Sequence, residues 1–144
     1  MRKTALAFSA IAVFLVIDAC KKSDNVSSNA RTVQNLSGSY SLVALTANVL
    51  GASVNLYDSL PACERDNLIQ LNANGSAQFI DAHTPCSPPS DSTGTWSLSA
   101  NTDTIYVAGN ASFIQSWDGK TLILNNNEKV NGFPVVAITT LAKQ

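Results

Sequence analysis

The chain has 144 residues, a length that suits one domain. Charged residues make up 13% of it and the formal net charge is −1, so the surface is mostly neutral. No cluster of lysines and arginines follows the N-terminal region, and binding to nucleic acid or electrostatic binding to anionic lipid is therefore disfavoured. We expect no nucleic-acid partner.

The first nineteen residues have the parts of a secretory signal. Two basic residues follow Met1, and an apolar run from Ala5 to Ile17 is broken by one serine. A helix of that length spans about 20 Å, whereas the hydrocarbon core of a bilayer is about 30 Å thick. The run is therefore too short to cross the bilayer as a helix. We therefore expect residues 1–19 to be a signal peptide.

The residues after the apolar run resemble the lipobox of bacterial lipoproteins. Ile17-Asp18-Ala19-Cys20 has an aliphatic residue and a small residue before a cysteine, although the pattern favours a small or hydroxyl residue where Asp18 stands. The alternative is an ordinary signal followed by a chance cysteine. The resemblance implies that Cys20 is lipidated with more than one acyl chain, which gives a stable membrane anchor.

A polar segment separates this cysteine from the rest of the chain. Residues 21–35 lack hydrophobic periodicity, which predicts that residues 20–35 are the lipidated cysteine and a flexible tether, with the folded domain at 36–144. Lys21 is not the aspartate that often marks inner-membrane retention of lipoproteins. We expect a cell-envelope location at the outer membrane, with periplasmic or surface exposure left open.

From Leu36 onward, short runs of alternating apolar and polar residues are separated by turn residues, a pattern typical of β-strands. A turn at Asn72-Ala73-Asn74-Gly75, with Gly75 at positive φ, would pair Leu71 with Ala77. The segment 48–62 is predicted as a long loop or a single helical turn. The predicted strands are residues 38–47, 67–72, 76–82, 93–99, 104–108, 111–117, 120–125 and 134–142.

Eight strands joined mostly by short loops form a meander, which can remove its edges by closing on itself. We expect an all-β fold, an eight-stranded antiparallel up-and-down barrel, with a two-sheet sandwich as the alternative. Ala44 is predicted on the same face of the first strand as Leu42. The candidate ligand-binding residues of the barrel interior are Tyr40, Leu42, Leu71, Phe79, Trp96, Leu98, Leu122 and Ile138. Further inward positions are Ile69, Ile105, Val107, Leu124 and Val136.

Three cysteines are present. If Cys20 is lipidated, Cys63 and Cys86 remain as an even pair in an oxidising compartment. They flank one predicted hairpin, whose open ends lie side by side, so a disulfide is easy to form. A redox or metal pair is the rival interpretation, but the spacing does not fit a Cys-x-x-Cys motif and His83 is the only histidine.

The chain has no clear motif for catalysis. His83 lies in a predicted loop near Asp81 and Asp91, without the Gly-x-Ser-x-Gly elbow of a serine hydrolase and with too few ligands for a metal site. We therefore expect no enzymatic activity, no metal and no cofactor. Trp96 is predicted to be a core residue, and Trp117 to lie in the core or at the barrel rim.

Several short motifs, in order, resemble the small lipocalin-like domains of Gram-negative lipoproteins. This resemblance implies an eight-stranded barrel in which a disulfide joins the ends of one hairpin. It implies no particular reaction or ligand. Tyr40 stands where the family usually has tryptophan, and the domain is shorter than a true lipocalin. The motifs are Leu36-Ser37-Gly38-Ser39-Tyr40-Ser41-Leu42, Cys63-Glu64-Arg65-Asp66-Asn67, Asn74-Gly75-Ser76, Cys86, Gly94-Thr95-Trp96-Ser97-Leu98 and Thr121-Leu122-Ile123-Leu124.

Two functions remain open at this point. The favoured one is binding of a small apolar or amphipathic ligand, with the membrane as a partner through the lipid anchor. The alternative is a protein-interaction module, such as an accessory subunit or a periplasmic protease inhibitor, with a filled barrel. An apolar internal cavity would favour the first, and an exposed apolar rim on a filled barrel would favour the second.

Overall fold

The computed structural model describes residues 27–144, so the predicted signal peptide, Cys20 and residues 21–26 lie outside the described residues. The strands are β1 (Gly38–Val49), β2 (Ala52–Asn55), β3 (Leu68–Leu71), β4 (Ser76–Ile80), β5 (Ser92–Leu98), β6 (Thr104–Val107), β7 (Asn110–Trp117), β8 (Thr121–Val130) and β9 (Phe133–Lys143). The helical segments are α1 (Val33–Leu36), a 3₁₀ turn (Tyr57–Ser59) and α2 (Ala62–Arg65). Within residues 27–144, no helix has the length and apolar character needed to cross a membrane.

Eight of these strands close into a barrel. Strand β1 pairs with β3, strands β3 to β9 pair antiparallel in chain order, and β9 returns to pair with β1. The β1–β9 pairing runs from Tyr40 opposite Lys143 to Val49 opposite Val135, so the first and last strands are joined along most of their lengths. The predicted eight-stranded antiparallel barrel is confirmed.

The β3–β4 hairpin has the register expected from its turn. Gly75 has φ +84°, a conformation that glycine adopts without steric cost. Leu71 lies opposite Ala77, and both side chains are buried. The turn therefore keeps the apolar faces of both strands on the barrel interior.

A β-bulge at Val43 changes which side chains of β1 face the interior. Leu42 pairs with Leu141, whereas Ala44 pairs with the residue immediately before Leu141, which leaves Val43 without a partner. Because side chains alternate along a strand, Leu45 and not Ala44 faces inward after the bulge. The prediction that Ala44 shares a face with Leu42 is wrong, since a period of two cannot reveal an inserted residue.

The register of β9 corrects a second prediction. Leu141 pairs with the interior residue Leu42, so Leu141 and Thr139 face inward. Ile138 and Val136 occupy the alternate positions and lie on the outer face, so the prediction that they point inward is wrong. This strand is apolar on both faces, and its composition alone does not distinguish the inner face from the outer one.

The segment predicted as a loop contains β2, the 3₁₀ turn and part of α2. Leu50 and Gly51 both have positive φ, at 51° and 86°, and form the two-residue turn that connects β1 to β2. Asn131-Gly132 makes a similar turn between β8 and β9, with φ 52° and 83°. Both hairpins extend past the barrel at the same end, so β8 and β9 are longer than predicted.

The opposite end of the barrel is closed by α1. The side chain of Thr32 caps this helix by accepting a hydrogen bond from the Asn35 backbone N–H at 3.2 Å. Leu36 is fully buried, and the Tyr40 hydroxyl donates to the Leu36 carbonyl oxygen at 2.7 Å. We call this end, with α1 and the β7–β8 turn, the closed end.

Residues before α1 also pack on the closed end. The indole N–H of Trp117 donates to the Ser28 carbonyl oxygen at 3.1 Å, and the Arg31 guanidinium donates to the Gln115 carbonyl oxygen at 3.3 Å. The prediction of a flexible tether is therefore wrong for residues 27–35. A helix of four residues is too short to produce a visible apolar period.

A disulfide joins α2 to the loop between β4 and β5. Cys63 and Cys86 are bonded, with their Cα atoms 5.2 Å apart, as predicted from the even pair that flanks the β3–β4 hairpin. The Asp81 carboxylate accepts hydrogen bonds from the backbone N–H groups of Cys86 at 2.9 Å and Ser90 at 3.2 Å. These contacts fix residues 81–91 at the end opposite α1, which we call the open end.

Removal of the disulfide should destabilise the domain. We expect the double variant Cys63→Ala with Cys86→Ala to lose about 3 kcal/mol of unfolding free energy in the chain-entropy model, because the bridge spans 23 residues of sequence separation. Urea unfolding measures this loss. The reduced natural protein should match the double variant, and a loss below about 1 kcal/mol would contradict a structural role for the bridge.

Candidate functional site: a cavity at the open end

The closed half of the barrel interior is occupied by aromatic side chains. The ring centroids of Tyr40 and Trp117 are 6.4 Å apart, and both residues are buried. The Trp96 indole N–H donates to the Asn72 carbonyl oxygen at 2.7 Å. Burial raises the pKa of the Tyr40 hydroxyl well above its usual range, so this group stays neutral and acts as a hydrogen-bond donor.

The open half contains a cavity with a volume of about 350 Å³. Its wall is mainly apolar. Most of its polar groups come from α2, the turn after it and the β4–β5 loop, which together frame the mouth. The apolar lining residues are Leu42, Leu45, Leu68, Ile69, Phe79 and Leu141. The polar lining residues are Glu64, Asn67, Ser90, Ser92 and Thr139.

A second cavity of about 200 Å³ continues from the first toward the other side of the barrel. The two cavities share Ile69, Phe79, Thr139 and Leu141, so they are neighbouring parts of one interior space. Asn110 and Ser112 supply its other polar groups. The remaining lining residues are Leu71, Ile105, Val107, Leu122 and Leu124.

The eight predicted ligand residues are divided among three places. Those that line the cavities are Leu42, Leu71, Phe79 and Leu122. Those that belong to the packed closed half or pack against it are Tyr40, Trp96 and Leu98. Ile138 lies on the outer face of β9. Trp117, predicted in the core or at the rim, is a core residue with 7% exposure.

Sequence reasoning missed several lining residues, for two different reasons. Leu45 was hidden by the bulge, and Thr139 by the two-sided apolar pattern of β9. Glu64 and Asn67 follow Cys63, and the disulfide and α2 hold them at the mouth. The sequence did contain a motif that includes both residues, because Cys63-Glu64-Arg65-Asp66-Asn67 is one of the motifs that carry the family resemblance.

The mouth has an incompletely paired polar side chain. The Asn67 amide nitrogen donates to the Ser90 hydroxyl at 3.0 Å, while its side-chain oxygen is buried without a hydrogen-bond partner. His83 lies in the β4–β5 loop, as Ser90 does, and its side chain is exposed. Within the described part of the chain, no three His, Cys, Asp or Glu side chains lie together as a metal-binding group.

A family model described as a lipocalin-like domain matches residues 36–128. The chain belongs to the lipocalin-like domain family. In this lipocalin-like domain the match runs from the start of the barrel through most of β8, and β9 completes the closure. Searches of curated proteins and of solved structures find no match to the chain. The interior of an eight-stranded barrel is just wide enough to be filled by side chains or to hold one small ligand.

Proposed function

We propose that the chain is a lipid-anchored, non-enzymatic binding protein of the cell envelope for one small apolar or amphipathic molecule. The observation that carries this proposal is the cavity of about 350 Å³ at the open end, lined mainly by apolar side chains. Its volume lies in the range of known ligand sites, which combine an apolar wall with a few polar groups.

The size of the cavity sets the expected affinity. Burial of each methylene contributes about 0.8 kcal/mol, and association costs several kcal/mol in lost translational and rotational freedom. A ligand that fills about 350 Å³ buries only a chain of moderate length or two small aromatic ring systems. We therefore expect a Kd in the micromolar range and not the permanent retention of a cofactor.

A dye titration tests this proposal. Residues 27–144 are suitable for it, because the sheet closes on itself and the buried core lies between Leu36 and Leu141, so they form a complete folding unit. The neutral apolar dye N-phenyl-1-naphthylamine should bind saturably with one site per chain. Absence of saturable binding to the folded domain would overturn the proposal.

The anchor would set the orientation of the barrel. Six residues, 21–26, separate Cys20 from the first described residue, and fully extended they span about 20 Å. Ser28 contacts Trp117 at the closed end, so a lipid on Cys20 would hold this end toward the membrane. The cavity mouth would then face away from the bilayer, open to ligands from solution or from another envelope protein.

The anchor itself is tested at Cys20. We expect Cys20→Ser to release the protein from the membrane fraction and to abolish fatty-acid labelling, because the thiol is the acylated group in the lipobox pattern. Fractionation and labelling in a Gram-negative host provide the measurement, with the natural protein as the control that keeps its label. Unchanged labelling of Cys20→Ser would contradict the anchor.

A second candidate function, the protein-interaction module, is favoured by one observation. Leu50 is 76% exposed, and Val130 and Phe133 are each about half exposed at the neighbouring hairpin tip. The β1–β9 pairing places these tips side by side at the open end. If this is the functional surface, Leu50→Ser with Phe133→Ser should abolish cross-linking to an envelope partner and leave dye binding unchanged.

A further inference from the structure

We infer that the mouth selects ligands by their head group, so that the bound molecule has an apolar body and a cationic or hydrogen-bond-donating head. Amphiphiles with a carboxylate head, fatty acids among them, are disfavoured. This inference rests on the proposed function and specifies the chemical class of its ligand.

The first support is Glu64. Among the described residues that line either cavity, Glu64 carries the one ionisable side chain, and the other polar lining groups are amides and hydroxyls. The neighbouring Arg65 guanidinium carbon lies 6.0 Å from the centre of the Tyr57 ring, and neither residue lines the cavity. A head group at the mouth therefore meets a carboxylate without a lining cation beside it.

The second support is Asn67. Its amide nitrogen is used by the Ser90 hydroxyl, and its buried oxygen has no hydrogen-bond partner. This oxygen has almost no accessible surface, so a rotation of the amide would have to bring it to the cavity wall, where a ligand N–H or O–H would supply the missing partner. An ammonium or hydroxyl head supplies such a donor, whereas a carboxylate at neutral pH has only acceptors.

The third support is the charge of the surrounding segments. Residues 56–67 and 81–91 contain five carboxylates, Asp58, Glu64, Asp66, Asp81 and Asp91, and one guanidinium, that of Arg65. Backbone N–H groups donate hydrogen bonds to the carboxylates of Asp66, Asp81 and Asp91, and these bonds shape the loops. The potential at the open end is therefore negative, and it attracts cations and repels anions.

The expected selectivity is moderate, because Glu64 is exposed and solvent screens its charge. We expect decylammonium to bind about 5- to 20-fold more tightly than decanoate, with the neutral decanol between them. All three have the same apolar body, so differences among their Kd values report on the head group. Displacement of the dye from residues 27–144, below the micelle concentrations, measures each Kd.

The variant Glu64→Gln removes the charge and keeps the size of the side chain. It should reduce the ratio of decanoate Kd to decylammonium Kd at least about 3-fold and leave the decanol Kd unchanged. Glu128→Gln is the matched control, because Glu128 is exposed on β8 and lines neither cavity. It should leave the ratio as it is in the natural domain.

Each outcome has a distinct meaning. Equal binding of decylammonium and decanoate, or an equal effect of Glu64→Gln and Glu128→Gln, overturns head-group selection while the proposed binding function stands. Tighter binding of decanoate also overturns it. Absence of binding by all three amphiphiles overturns the proposed function and this inference with it.

Discussion

The variant Thr139→Phe is expected to weaken dye binding at least about 10-fold. Thr139 lines both cavities, between Leu45 on β1 and Leu124 on β8. A phenylalanine ring in this position would occupy the space that the ligand needs. The ring also fills empty apolar volume, so we expect the free energy of unfolding to change by less than about 2 kcal/mol.

A neighbouring residue provides the matched control. Thr140 has the same side chain on the same strand, but it lies on the outer face, opposite Ala44 and Ile123. Thr140→Phe should leave the dye Kd within about 2-fold of the natural value, since a twofold change is only about 0.4 kcal/mol. If the two variants bind the dye equally well, whether tightly or weakly, the binding site is not the barrel interior.

The variant Trp96→Ala is expected to lower the free energy of unfolding by about 3–5 kcal/mol, in the range of large-to-small aromatic substitutions in a core. Trp96 is 4% exposed in the closed half of the barrel, and its N–H donates to the Asn72 carbonyl oxygen. Urea unfolding measures the loss. Because Trp96 lines neither cavity, the dye Kd of the folded fraction should be close to that of the natural domain.

The variant Trp96→Phe separates packing from hydrogen bonding. It keeps an apolar ring and removes the donor to Asn72, so we expect a loss of about 1–3 kcal/mol. A loss for Trp96→Ala no larger than that for Trp96→Phe would contradict the packing role. A large change in dye Kd with little change in stability would place Trp96 in the ligand site, as the sequence pattern suggested.

The barrel could be predicted because each strand carries its own local signal. Alternation marks the faces of β3 to β6, and turn residues such as Gly75 set the register between them. These signals require no knowledge of the rest of the chain. Closure follows because a meander of eight strands can pair its first and last edges, and β9 does pair with β1.

The features of the fold that the sequence pattern did not predict depend on contacts between distant parts of the chain. The bulge at Val43 is defined by the partner strand β9, and the inner face of β9 is defined by Leu42 and its other barrel neighbours. The helix α1 is stable because Leu36 is buried under the barrel. The mouth is assembled by the disulfide from two segments with 23 residues of sequence separation.

Methyl NMR of the domain with decylammonium locates the binding site, because the methyl groups that contact the ligand change their chemical shifts. For binding in the barrel interior, we expect the largest chemical-shift changes at Leu45, Ile69 and Leu141 in the cavity, while the Ile138 methyls on the outer face stay unchanged. Changes confined to Leu50 and Val130 at the exposed hairpin tips would contradict it. That result would assign function to the outer surface and not to the barrel interior.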